Sequence, residues 1–145
     1  MARTVVSNAS TAWTGDLISG SGSTTLDTSK LGTMDVSWKA RAEDAEQGTT
    51  SPEELIGAAH SACYTMQFSN MLAENGTPPT SMDTAAAVSF NAGEGGITGI
   101  ALTVSAKVDG IDEADFQRLA EEAKQTCPVS KALAGVDITL EASLA

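Results

Sequence analysis

Polar and apolar residues alternate along residues 97–108, where Ile100, Leu102, Val104 and Ala106 fall on one face, and again along 136–142 with Val136, Ile138 and Leu140. A period of two marks a half-buried strand. Residues 80–90 read as a second long strand, and the Gly-rich stretch 91–96 as the hairpin turn that joins it to the first. Nearer the N-terminus the alternation is weaker and Ser/Thr-rich. It predicts three short antiparallel strands, at 4–7 with 12–13, at 23–26 and at 34–38, with Trp13 and Trp38 as packing residues. The polar run 42–50 reads as a loop.

The period changes at residue 51. Ser51 can cap a helix, Pro52 fits its first position, and Glu53 and Glu54 lie in the first turn, where the positive end of the helix dipole favours carboxylates. The helix is predicted to run to residue 74, where Asn75–Gly76 supplies a left-handed stop and Pro78–Pro79 prevents continuation. Leu55, Ile56, Ala58, Ala59, Ala62, Cys63, Met66 and Leu72 wrap around more than one of its faces. Such a helix needs cover on more than one side. A second helix is predicted from the Asp112 cap, with a stripe of Phe116, Leu119, Ala120 and Ala123. It ends near Cys127, because Pro128 disfavours helical geometry in the residue before it and can itself open a short new helix.

The order is three strands, a long helix, two strands, a helix with a short follower and a last strand: an α+β fold in one domain spanning 1–145. The central helix demands more cover than one such sheet gives, which predicts a homodimer. At 41% hydrophobic residues and a mean hydropathy of −0.04, the chain is neither disordered nor membrane-spanning. The net charge of −11 argues against nucleic acid or an anionic membrane as a partner. The first residues lack the apolar segment of a secretory signal, so a cytoplasmic location is expected. In that reducing compartment two cysteines suit catalysis, redox chemistry or metal binding better than a structural staple.

Cys63 lies deep inside the long helix, beyond reach of the terminal dipole, and needs a cation from elsewhere to react as a thiolate. Cys127 sits at a helix start, where a thiolate is stabilised. An attacking and a resolving cysteine fit these two settings. With only three arginines, each is a candidate for the positive charge. Arg118 is expected on a solvated helix face and Arg3 at a frayed terminus, whereas Arg41 lies at the predicted end of the third strand, with Lys39 close by. Glu53 or Glu54 can hold such an arginine; alternatively, Arg41 is a surface residue and both glutamates serve the helix dipole. His60 precedes Cys63 by one turn, a spacing that admits a Cys–His pair or a metal site with Cys127. Zinc-type ligand spacing is absent and a third orienting group is not evident, so His60 is read as a packed or interface residue.

The run SPEELIGAAHSACYTM and the later CPVSKAL resemble the two cysteine motifs of the OsmC/Ohr family of thiol-dependent peroxidases, and the element order fits over nearly the whole chain. PEELIGAAH resembles the osmotically inducible OsmC branch. The resemblance implies an intertwined homodimer whose central helices are flanked by sheets, with active sites at the dimer interface. It implies reduction of organic hydroperoxides to alcohols in oxidative or osmotic stress, with Cys63 passing through a sulfenic acid to a Cys63–Cys127 disulfide. Glu53 then corresponds to the carboxylate that orients Arg41. The family uses no metal, haem or flavin, and an external dithiol such as a lipoyl group restores the thiols. Leu55, Ile56, Met66 and Phe68 are expected near the site, favouring alkyl over hydrogen peroxide. The alternative is a non-enzymatic redox-sensing or binding dimer that uses the same disulfide as a switch.

Overall fold

The alternating segments are strands and the long Pro52-initiated run is a helix in a computed structural model, which describes residues 2–45 and 47–145. The chain divides into two units, Met1–Pro52 and Glu53–Ala145.

The first unit is a four-stranded sheet in the order β1 (Ala9–Thr14), β2 (Ser21–Leu26), β3 (Thr33–Val36), β4 (Thr49–Thr50). β1 and β2, and β2 and β3, pair antiparallel, while β4 runs parallel to β3. Asp16 shapes the first turn, its Oδ1 accepting from the Ser19 N–H at 2.7 Å and the Ser19 hydroxyl at 2.8 Å. Opposite Trp13 stands Gly22, where a Cβ would approach the indole to 2.6 Å. The missing side chain makes room for the ring, which donates from Nε1 to the Gly15 carbonyl at 2.9 Å.

Three expectations for this region are corrected. Residues 4–7 form no strand, and the first strand begins at Ala9. The third ends at Val36, because Ser37 turns the chain: its hydroxyl accepts from the Ala40 N–H at 3.1 Å and caps a short helix, α1 (Trp38–Ala42). Arg41 therefore stands in the last turn of a helix, not at a strand end. The loop expected over 42–50 closes with β4, whose two residues pair with Asp35 and Val36. None of the described residues of this unit is buried.

The second unit follows the sequence pattern closely. Its sheet has the order β5 (Pro79–Asn91), β6 (Gly96–Val108), β7 (Asp137–Leu144), with an antiparallel β5–β6 hairpin and a parallel β6–β7 pair. Ile100, Leu102, Val104 and Ala106 all face inward, as their alternation requires. Against this face pack α2 (Pro52–Glu74) and α3 (Glu113–Thr126), and the five-residue α4 (Pro128–Ala132) leads on to β7. α2 stops at Gly76, which takes φ 81°, and the Thr77 N–H closes the turn on the Leu72 carbonyl. Asp112 caps α3, accepting from the Asp115 N–H at 2.8 Å.

The core joins Tyr64, Phe68 and Leu72 of α2 to Phe116, Leu119, Ala120 and Ala123 of α3 and to the inner face of β6. Phe68 bridges Tyr64 and Phe116, with ring centroids 5.7 Å and 5.4 Å away. The buried stripe of α2 is Glu53, Gly57, His60, Tyr64, Phe68 and Leu72. At Gly57 the helix crosses β5 so closely that a Cβ would lie 3.1 Å from the Ala86 carbonyl oxygen. Ala58, Ala59, Ala62 and Met66 point away from this stripe and are exposed. No helix among the described residues is long and apolar enough to cross a membrane.

Candidate functional site

The two cysteines, 64 residues apart in sequence, meet where α2 passes the junction of α3 and α4. Their Sγ atoms are 3.1 Å apart and both are free thiols. Cys63 is partly exposed on α2, whereas Cys127 is wholly buried. Cys127 ends α3, its N–H reaching the Ala123 carbonyl, and is also the N-cap of α4, with Pro128 in the first turn. That double role is a consequence of the Cys–Pro step, which breaks one helix and starts the next.

Electrostatics separates the pair. Burial pushes the Cys63 thiol up, and its neighbour Cys127 raises it further against the smaller help of the Val129 N–H. Burial also acts upward on Cys127 but is outweighed there by the Ser130 N–H, the contact with Cys63, the Ser130 hydroxyl and the Val129 N–H, so this thiol lies below its ordinary value. The helix start anticipated from sequence acts on Cys127; Cys63, in mid-helix, gets no comparable support within this unit.

His60 does not pair with Cys63. Its Nε2 lies 2.6 Å from Ser130 Oγ, and burial pulls the ring's pKa down, so it is neutral. Ser130, buried beside His60, is a residue that the sequence did not single out. Its signal was available in CPVSKAL, three residues past the helix start, but its partner lies 70 residues away. Tyr64, one residue after Cys63, anchors α2 to α3 by donating its hydroxyl to the Ala120 carbonyl at 3.0 Å.

Glu53 and Glu54 are distinguished by burial: Glu53 is 5% exposed, and Glu54 faces outward. Arg41 belongs to α1 of the first unit and Glu53 opens the second. Arg118 is occupied on the outer face of α3 by Asp115 and Glu122, each at 3.3 Å, as expected for a solvated helix face. Among the pocket candidates on α2, Phe68 is a core residue, Leu55 and Ile56 are half-buried, and Met66 is 72% exposed. No cluster of three or more His, Cys, Asp or Glu side chains suited to a metal occurs among the described residues.

Comparison with known proteins follows the same line. The chain is 43% identical over 134 residues to peroxiredoxin OsmC of Escherichia coli (strain K12), covering 91% of this chain and 92% of that one. It is 32% identical over 93 residues to the organic hydroperoxide resistance protein of Xanthomonas axonopodis pv. citri (strain 306), covering 63% and 65% of the two chains. The crystal structure of an OsmC-like protein from Mycoplasma pneumoniae superposes with a TM-score of 0.71 at 15% identity, covering 98% of this chain and 99% of that one. Residues 43–141, which contain both cysteines, match the family model described as OsmC-like protein. The chain belongs to the OsmC-like family.

Proposed function

We propose that this protein is a cysteine-based peroxidase that reduces organic hydroperoxides to alcohols. The observation that carries this reading is the pairing itself: a partly exposed thiol 3.1 Å from a buried one held at a helix start. Its relatives named peroxiredoxin OsmC and organic hydroperoxide resistance protein support the same chemistry.

In the first step the Cys63 thiolate attacks the terminal peroxide oxygen. An S–O bond forms and the O–O bond breaks; sulfur loses two electrons, and the leaving alkoxide takes a proton to become the alcohol. The Cys127 thiolate then attacks the Cys63 sulfenic acid. The S–S bond forms as the S–O bond breaks, and hydroxide leaves and is protonated to water. An external dithiol returns two electrons and two protons. A fixed positive charge is needed to favour the Cys63 thiolate, its proton passing to water, and Arg41 oriented by Glu53 supplies that charge in this reading. The protein works as a homodimer, a state favoured by the exposed apolar residues Leu17, Ile18, Leu31 and Met66 and by a first unit with no buried residue among those described.

The test is a free-thiol count on reduced protein given one equivalent of cumene hydroperoxide, followed by peptide mapping. Loss of both thiols and a Cys63–Cys127 bridge is expected; survival of both thiols refutes the function. Cys63→Ser should abolish the reaction, while Cys127→Ser should oxidise once and leave a trappable sulfenic acid. Arg41→Ala should slow the first step and move its pH profile upward; an unchanged profile transfers the role to Lys39 or another cation. Sustained turnover with a dithiol separates the enzyme from a sensor that oxidises once.

A further inference from the structure

The sulfur contact has a second side-chain bridge beside it. Three residues before Cys63, His60 Nε2 lies 2.6 Å from Ser130 Oγ, and Ser130 stands three residues after Cys127. The chain therefore runs in opposite directions on the two sides, and the contacts 63–127 and 60–130 are rungs one helical turn, or ~4.5 Å, apart. Both members of the second rung are buried. His60 Nδ1 finds no partner among the described residues, so the ring is held there by Ser130.

α4 depends on that rung. A five-residue helix is too short to keep its place alone, and Ser130 is its one buried residue, with Val129 packed at the edge of the core. On the other side of Cys127, Gln67 Nε2 donates to Thr126 Oγ1 at 2.8 Å, but that bond is exposed and water can replace it. The buried bond has no such substitute, since removing one partner leaves the other unsatisfied.

We propose that His60 and Ser130 are a positioning pair: their bond clamps α4 to α2, holds the Cys127 sulfur at Cys63, and so raises the effective concentration of one thiol at the other. This rests on the reading of Cys127 as the resolving cysteine. Without the clamp, α4 samples orientations in which Cys127 turns away and the disulfide is easier to reduce.

The test is the reduction potential of the Cys63–Cys127 bridge, measured on the full chain in glutathione buffers at pH 7. The two thiols lose two electrons and two protons and gain the S–S bond, while glutathione disulfide is reduced to two thiols. No peroxide enters, so a chain that forms this bridge yet consumes no hydroperoxide loses the peroxidase reading and keeps the clamp. Ser130→Ala and His60→Leu should each lower the effective concentration about tenfold, which raises the potential by about 30 mV, and the double variant should add little. His60→Gln, which keeps an N–H donor, should recover most of the shift. Thr65→Val breaks the 2.7 Å hydroxyl bond from α2 to Thr84 of β5; it should lower stability and leave the potential at the parent's value. A Ser130→Ala potential equal to the parent's overturns the proposal, as does a His60→Gln potential displaced as far as that of His60→Leu. A Thr65→Val shift as large as that of Ser130→Ala also overturns it, because general loosening would then explain both. So does a parent that forms no bridge in any glutathione buffer.

Discussion

At the scale of single residues, two sulfurs of the same type are made different by what surrounds them. Cys127 has helix-start N–H groups and a hydroxyl to set against its burial, and Cys63 has mainly burial and a competing thiol. Tyr64 obeys the same logic. Burial raises its phenol well above the ordinary value, with the Glu121 and Cys127 charges adding to the rise. Its contribution to stability is therefore complete below the unfolded pKa of ~10 and is lost as the pH climbs towards the folded value. Because it is the one tyrosine, a spectroscopic titration should show no tyrosinate until the protein unfolds in base. Tyr64→Phe removes the bond to Ala120 and should lower stability by ~1 kcal/mol in urea unfolding at pH 7. His60 runs the other way. Its folded pKa is depressed by burial, so its contribution is present above the unfolded value of ~6.5 and is lost as the pH falls towards the folded one. Stability of the wild type should decline from about pH 6.5 downward more steeply than that of His60→Gln.

At the scale of elements, α2 shows which face a helix buries when two faces are apolar. The core receives Gly57, His60, Tyr64, Phe68 and Leu72, while Ala59, Ala62 and Met66 stay outside. Gly57 sets how near the helix comes to β5, so Gly57→Val should cost roughly 1–3 kcal/mol by forcing the Ala86 backbone away, read as a lower urea midpoint. The start and end of α2, the inward set of β6 and the Cys127 helix break could all be read from sequence, because each depends on residues close together in the chain. Other features depend on partners far away. The WKARA turn has too few residues for a period and is decided by Ser37, and β4 exists only because β3 lies beside it. The pairing of Ser130 with His60 has no local trace at all.

At the scale of the whole molecule, the unit Met1–Pro52 carries four strands yet buries none of its described residues, and Leu31 is 82% exposed. Sedimentation at micromolar concentration should give twice the 14.8 kDa chain mass, and Met66→Glu should weaken the assembly. A monomer mass for the unmutated chain would count against the dimer. The meeting of residues from opposite ends of the second unit also has a consequence for biosynthesis. A ribosome adding about 5–20 residues per second makes Cys63 roughly 3–13 s before Cys127. Under the proposed mechanism, the nascent chain throughout that interval carries an attacking thiol whose resolving partner has not yet been translated, and any oxidation it meets then can proceed past the sulfenic stage to irreversible damage.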